Sequence, residues 1–553
     1  MIRSSLSLWR SPALVGAVAL LAGCARAGAP TIPSPAPQPV TREPISVTPP
    51  PPPPTTAPDT ARSDWHRLSP ESDGVLGIGS ERAMRELLAN RRPQREVIVA
   101  VIDGGVDTAH TALAPVMWRN ARDVAGNGRD DDNNGYADDT YGWNFMVQPG
   151  GTAVHHDTFE LTRMYAACRN QPAGQGIAKP SSVKCDSLSS AYASKSEEVN
   201  GTLRQILNLE RTASQVNGVL QQAIGAGALT RGRVEGFAPT NPTQEQAKRM
   251  WLQLDASGLG PEALEDAKKA YESQAKYGLD TTYYPRATGN INGSRDVTGP
   301  DALHGTHVAG IIGAARTAGA AVQGVSPNVR IMALRAVPDG DERDADVARA
   351  IRYAADNGAL VINMSFGKAY SPGKPVVDSA VRYAAGKGVL LVHAAGNDGE
   401  NNDVVPSFPT SVLTDGSRVG MWLEVGASSW KGEDKLVTSF SNYGRTMVDL
   451  FAPGEDILST APGGGYKRES GTSMAAPVVS GVAAMLLSYF PKLTPSDVRD
   501  ILVQSVRTFP TLKVMLPNGP SQSVPFSALS RTGGLVDAYA AVKLALEREQ
   551  IRP

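Results

Sequence analysis

This sequence of 553 residues has little net charge: 54 Lys and Arg oppose 55 Asp and Glu, for a formal balance of −1. No overall field therefore recruits nucleic acid or anionic lipid. No internal repeat is found, which sets aside solenoids and propellers. His304 and His307 stand three residues apart, but no H-E-x-x-H and no nearby Cys or His completes a zinc set. A zinc hydrolase is set aside on that ground, and His307 reads as a packing residue. The first apolar run, Ala13 to Leu20, is too short to span a membrane. Cysteine is scarce, with three in the whole chain, Cys24, Cys168 and Cys185.

What is present is organised around Gly471-Thr472-Ser473-Met474-Ala475-Ala476-Pro477 and the apolar run that follows to Phe490. The run has few polar residues, so it reads as a buried helix. Gly471 allows a tight approach, and a serine in the first turn meets free N–H groups and the positive end of the helix dipole. Pro477 is read as belonging near that first turn. Three other blocks stand beside it. Val97 to Ile102 is a continuous β-branched run ending in Asp103-Gly104-Gly105, as expected of a strand buried on both faces. His304-Gly305-Thr306-His307 opens a small-residue stretch, and Val389 to Val392 leads into Ala394-Ala395-Gly396-Asn397. Ligand sites of open α/β sheets lie beyond the C-terminal strand ends, where Asp103 and Asn397 fall.

Acyl transfer by a serine needs a base, a group that orients the base, and donors for the developing oxyanion. The blocks, in the order Asp, His, Asn, Ser, resemble the subtilisin-like serine proteases (subtilases). The resemblance implies a three-layer α/β/α fold with a mostly parallel central sheet, plus a largely helical insertion. It assigns Ser473 as nucleophile, His304 as base and acid, Asp103 as orienter, and Asn397 with the Ser473 N–H as oxyanion donors. Ser365-Phe366-Gly367 resembles the family's substrate-lining segment, with Lys368 in place of a second glycine, which would narrow or charge that rim. The implied activity is endopeptidase hydrolysis of proteins or peptides, with no cofactor in the chemistry. An acyl-enzyme resolved by an amine, and a silent binding scaffold, are the alternatives.

Around this unit the chain divides into residues 1–23, 24–63 and 64–549, with an insertion at about 150–290. Arg3, Arg10 and the apolar run precede Leu21-Ala22-Gly23-Cys24, which resembles the lipobox of bacterial lipoproteins. Cleavage before Cys24 and lipidation of it would anchor the chain in the cell envelope, with the outer membrane favoured. Proline dominates up to Pro58, a semi-rigid spacer. Asp64 to Arg95 is shorter than the inhibitory pro-domain of many subtilases, and Glu81 to Leu88 reads as a helix.

Asp130, Asp132 and Asn134 fit the opening of a calcium loop, with Tyr136 and Asp138 at later ligand positions, but Tyr141 replaces the closing glutamate. Calcium is preferred here to a solvated acidic turn. In the insertion, Leu203, Ile206, Leu207, Val216, Val219 and Leu220 follow a helical stripe, and Thr243 to Gln246 fits a capping box. With Cys24 lipidated, Cys168 and Cys185 are the remaining pair, either free thiols or a disulfide contributing at most about 3 kcal/mol. Asp339, Asp341, Glu342, Asp344 and Asp346 crowd one loop. They read as a solvated run, or, if turned to the cleft, as a preference for basic substrates.

Overall fold

The computed structural model describes residues 61–148, 150–169, 182–286, 292–317, 319–519 and 522–551. The leader at 1–23, Cys24 and the proline-rich spacer fall outside the described residues.

Nine strands form one sheet: β1 Val97–Asp103, β2 Gly142–Asn144, β3 Val329–Arg335, β4 Val361–Met364, β5 Leu390–Ala394, β6 Trp422–Ser428, β7 Leu450–Pro453, β10 Arg507–Thr508 and β13 Gly534–Leu535. Two hairpins, β8 Ile457–Ala461 with β9 Gly465–Glu469 and β11 Lys513–Met515 with β12 Ser523–Pro525, stand apart from it. Across the sheet the order is β10, β13, β7, β6, β5, β4, β1, β3, β2. Every neighbouring pair is parallel except β10 with β13. The fold is therefore a three-layer α/β/α arrangement, as the sequence implied. β1 lies between β3 and β4, so its end at Asp103 opens into the crevice where ligand sites of such sheets form.

The period-two alternation of the strands sorts side chains into two cores. Val97, Val99 and Val101 face one cluster with Ile331, Val361 and Val392; Ala100 and Ile102 face the other with Met332, Ile362 and Leu391. Among the described residues the α-helices of nine residues or more are α1 Glu160–Cys168, α2 Ser182–Ile224, α3 Pro242–Ala256, α4 Pro261–Ser273, α5 Leu303–Gly313, α6 Asp344–Asp356, α7 Lys374–Gly386, α8 Thr472–Tyr489, α9 Pro495–Gln504 and α10 Ala538–Ile551. α5, α8, α9 and α10 pack on the first face; α6 and α7 cover the second. All 18 residues of α8 are buried. It is the one helix among the described residues long and apolar enough to cross a membrane, and it lies wholly inside the protein. Before β1, the short helix Ser80–Glu86 answers the expectation at 81–88, and Trp65 is buried with its ring 6.1 Å from Trp430.

The insertion leaves after β2 and returns before α5 as a helical layer with its own apolar clusters, built on the 43-residue α2. Ile206, Val216 and Leu220 of the expected stripe are buried there. The cap of α3 lies upstream of the expected Thr243: Asn241 accepts from the Gln244 N–H at 3.0 Å, with Pro242 opening the helix. Pro restricts the residue before it to extended backbone, which is the conformation an N-cap needs. Cys168 and Cys185 are joined in a disulfide.

The acidic loop after β3 divides: Asp339 lines the cavity beside His304, while Asp341, Glu342, Asp344 and Asp346 are turned into the protein. Asp341 accepts from the Glu160 N–H at 2.8 Å, and Asp346 pairs with Arg286 at 2.7 Å. Asp344 takes Lys368 Nζ at 2.9 Å. Lys368 likewise does not charge a rim. It is buried, with Nζ 2.8 Å from Glu160 and 2.7 Å from the Glu342 carbonyl. Asp157 is fully buried and takes Arg286 at 2.9 Å and Arg343 at 2.8 Å. Burial opposes charge on Glu160 and Asp157, but there the cations outweigh it: Glu160 is lowered to about 2, and Asp157 is held well below the usual carboxylate range. This network docks α1 onto the sheet domain. Lys368→Met should lower the unfolding free energy by about 3–5 kcal/mol, because Glu160 and Asp344 would stay buried with one cation fewer. Urea denaturation measures it, and a cost near that of an exposed residue, within about 0.5 kcal/mol, would contradict the docking role.

Candidate functional site

At the C-terminal edge of the sheet the structure brings Asp103 and His304 into contact across 201 positions of sequence. His304 Nδ1 lies 2.9 Å from both Asp103 oxygens, and Asp103 Oδ1 also accepts from the Gly104 N–H at 2.7 Å. Gly305 makes the approach of α5 to β1 possible: a Cβ there would stand 2.2 Å from the Gly105 carbonyl oxygen and 3.0 Å from the Asp103 side chain. Burial opposes charge on His304, but the charge and hydrogen bond of Asp103, with lesser help from Glu469 and Asp301, raise its pKa above the ordinary imidazole value.

Ser473 is the second residue of α8. Its hydroxyl donates to the Ser365 carbonyl at 3.1 Å, while the Ser365 hydroxyl donates to the Ser473 carbonyl at 2.9 Å. The second bond has a covalent cause. Pro477 sits four residues on, beyond the first turn where the sequence reading put it, and has no N–H to return to Ser473. The freed carbonyl is satisfied across the sheet instead. Asn363 Nδ2 donates to Ser365 Oγ and Ser480 Oγ donates to Asn363 Oδ1, each at 2.9 Å, so a buried polar chain runs from β4 to the middle of α8.

Asn397 follows β5 and meets the start of α8. Its Oδ1 accepts from the Thr472 N–H at 2.8 Å and the Thr472 hydroxyl at 3.0 Å, while Thr472 Oγ1 accepts from the Gly396 N–H at 3.1 Å. Two donors on Oδ1 fix which end of the amide is oxygen, and so where Nδ2 lies. Thr472 was missed by sequence reasoning. Its position between two motif residues was the available signal.

The other site expectations divide. His307 is fully buried, with Nε2 3.0 Å from the carbonyls of Ile457 and Lys467. Burial lowers its pKa to about 3, so it is a neutral bridge to the β8–β9 hairpin, as the packing reading held. That hairpin and its Glu469 beside His304 were not anticipated, since a five-residue strand of mixed polarity carries little periodic signal. Ser365 and Gly367 lie at the end of β4, but Phe366 is buried in the core and its carbonyl is held by His393 Nε2 at 2.7 Å. Its ring is a core element and lines no substrate surface.

In the segment that fits the opening of a calcium loop, the side chains of Asp130, Asp132, Asn134, Tyr136 and Asp138 each have partners within the protein. Asp130 accepts from the N–H groups of Asn134 and Gly135, Asp132 from Asn120, and Asp138 from the N–H groups of Asn127 and Gly128. Asn134 donates to Asp139 at 2.8 Å, and Tyr136 packs edge-on against Trp143 and Tyr353. The carboxylates of Asp130, Asp132 and Asp138 do not converge as a coordinating group among the described residues.

The subtilase family model, peptidase S8, matches residues 94–526. The chain is 44% identical over 186 residues to the thermophilic serine proteinase of Bacillus sp. (strain AK1), an alignment covering 34% of this chain and 42% of that protein. It is 36% identical over 212 residues to thermitase of Thermoactinomyces vulgaris, covering 37% of this chain and 70% of that one. Subtilisin DY of Bacillus licheniformis is 36% identical over 205 residues, 36% of this chain and 68% of that protein. The chain thus spans under half the length of the AK1 proteinase and about two thirds of the two shorter enzymes. Sheet order, the Asp–His contact and the family match over most of the chain agree: this protein belongs to the subtilase family.

Proposed function

We propose that this chain is a serine endopeptidase that cleaves extended protein segments through an acyl-enzyme on Ser473. The observation that carries the reading is the contact of His304 Nδ1 with both oxygens of Asp103 at 2.9 Å. A carboxylate only accepts, so Nδ1 holds the ring proton and Nε2 keeps its lone pair. Nε2 is buried and has no hydrogen-bond partner among the described residues. That suits a base waiting for a proton.

In the first step the Ser473 hydroxyl leaves the Ser365 carbonyl and Oγ attacks the scissile carbonyl carbon. Its proton passes to Nε2, and Asp103 stabilises the imidazolium that forms. Asn397 Nδ2 and the Ser473 N–H, at the positive end of α8, hold the oxyanion. Collapse breaks the C–N bond, and Nε2 gives its proton to the leaving amine. Water then loses a proton to Nε2 and attacks the ester carbon; the bond from that carbon to Oγ breaks, Nε2 returns the proton to Oγ, and the carboxylic acid product leaves. The backbone of Ser365 and Gly367 at the end of β4 walls the cleft on one side.

For the chain as a whole, we propose that lipid on Cys24 anchors the enzyme to the cell envelope, with the proline-rich segment as spacer. Several acyl chains, at about 0.8 kcal/mol per buried CH₂, suffice for stable attachment. Cys24→Ser should move the protein from the membrane fraction to the soluble fraction; unchanged sedimentation would reject the anchor.

Ser473→Ala should abolish casein cleavage while leaving the thermal transition in place, and undiminished turnover would reject the nucleophile assignment. The base acts as neutral imidazole and the folded environment raises its pKa. Activity is therefore lost as pH falls through a midpoint above 6.5, the ordinary imidazole value. Glu469 is one of the carboxylates raising it, so Glu469→Gln should shift the acid limb of kcat/KM downward in pH while keeping the plateau. An unmoved or rising midpoint would count against His304 as the titrating base.

A further inference from the structure

The chain has seven histidines, and most are committed. His304 is held by Asp103, His307 bridges two carbonyls, and His393 lies between Glu424 and the Phe366 carbonyl. His110 is held by the Gly465 carbonyl and the Ala112 N–H, and His66 is buried. His155 and His156 differ: they are adjacent, only half-buried, and sit where the insertion begins.

We propose that His155, His156 and Asp339 form a binding site for a divalent d-block cation, with Zn²⁺ the best match. Their ligand atoms all lie within 4.8 Å of one another. His156 Nδ1 stands 3.0 Å from Asp339 Oδ2. Two ligands at 2.0–2.1 Å from a tetrahedral Zn²⁺ stand about 3.3 Å apart, so this pair needs little movement. His156 is sandwiched between Tyr277, at 4.1 Å and 9°, and His155, at 3.9 Å and 28°. Stacked rings cannot both aim in-plane lone pairs at one ion, so the outer ring, His155, turns about its Cβ–Cγ bond. Among the described residues no hydrogen bond holds that ring, so the turn breaks none. Two imidazoles and one carboxylate suit zinc better than calcium or magnesium, which take oxygen.

A cavity of about 30 Å³ opens beside the set and is lined by His155, Asp339, Asp301, Arg335, Asp103 and His304. It has room for a water as fourth ligand. Three parts of the chain meet here. The insertion enters at His155 and His156, and it returns at Ser273, whose hydroxyl lies 2.5 Å from Asp339 Oδ2 and 3.0 Å from His156 Nδ1. The loop after β3 supplies Asp339, already paired with the entry strand through Asp157 N–H to Asp339 O and Asp339 N–H to His155 O, both 2.9 Å. A bound ion fastens the mouth of the insertion to the loop that walls the cavity beside His304. The site stands on its own geometry, whether or not Ser473 is a nucleophile.

The test uses the full chain without a histidine tag, carrying Ser473→Ala to prevent self-cleavage. Titration calorimetry with ZnCl₂ should give one ion per chain, and Zn²⁺ should raise Tm where Ca²⁺ at the same concentration does not. Even outer-shell changes at metal sites cost 10–100-fold in affinity, so His155→Ala and Asp339→Asn should each weaken binding at least about tenfold and remove the Tm shift. His155→Ala removes a side chain with no hydrogen bond among the described residues, so its folding is not in question. His304→Ala should leave binding intact. No binding to the parent chain, equal affinity in His155→Ala, or loss in His304→Ala with retention in His155→Ala would each overturn the proposal.

Discussion

One missing hydrogen sets the geometry of the cleft. Pro477 cannot return an N–H to the carbonyl of Ser473, and in the interior of a fully buried helix no water can take that role. A buried carbonyl left alone would cost on the order of 1–3 kcal/mol. The Ser365 hydroxyl satisfies it at 2.9 Å and brings Asn363 and Ser480 with it. The first turn of α8 is thereby tied to the end of β4. The same two residues exchange a second bond from the Ser473 hydroxyl to the Ser365 carbonyl. Thr472 then connects this turn to Asn397 at the end of β5. A helix start, two strand ends and a side-chain amide are held by hydrogen bonds that all trace to the backbone around Ser473.

The opposite wall is built from charge. Asp157, Glu160, Arg163, Arg286, Arg343 and Lys368 are removed from water and paired at the root of the insertion. Such networks add little net stability over apolar packing, but they tolerate no missing partner. They therefore fix where the insertion docks. His155 and His156 are placed beside Asp339 by that docking, and the cavity next to His304 acquires an insertion residue in its lining.

Much of the fold was legible because its signals are local. β1 and β5 begin as continuous apolar runs, Val97 to Ile102 and Val389 to Val392, as strands covered on both faces do, and each reading lies within two residues of the observed ends. The Thr494–Pro495 start of α9 is a capping box completed by Asp497. The later strands β6 and β7 were not read, and neither was the β8–β9 hairpin. Trp422–Ser428 carries Glu424, whose burial is made acceptable by His393 and Trp422. A charged residue inside a central strand hides it from any reading by hydropathy.

Local signals in the sequence carry the strands that end at Asp103 and before Asn397, the burial of α8, and the motifs around Asp103, His304, Asn397 and Ser473. These follow from periodicity and motif, which depend on neighbours in the chain. Where charge goes depends on packing between distant segments. Lys368 read as a rim residue, and Asp341, Asp344 and Asp346 as part of a loop facing water, yet these four are bound inside, because burial and counter-ions come from segments as much as 208 residues distant. Whether a carboxylate faces solvent, a metal or an arginine is set by what packs against it, and that is a property of the folded chain.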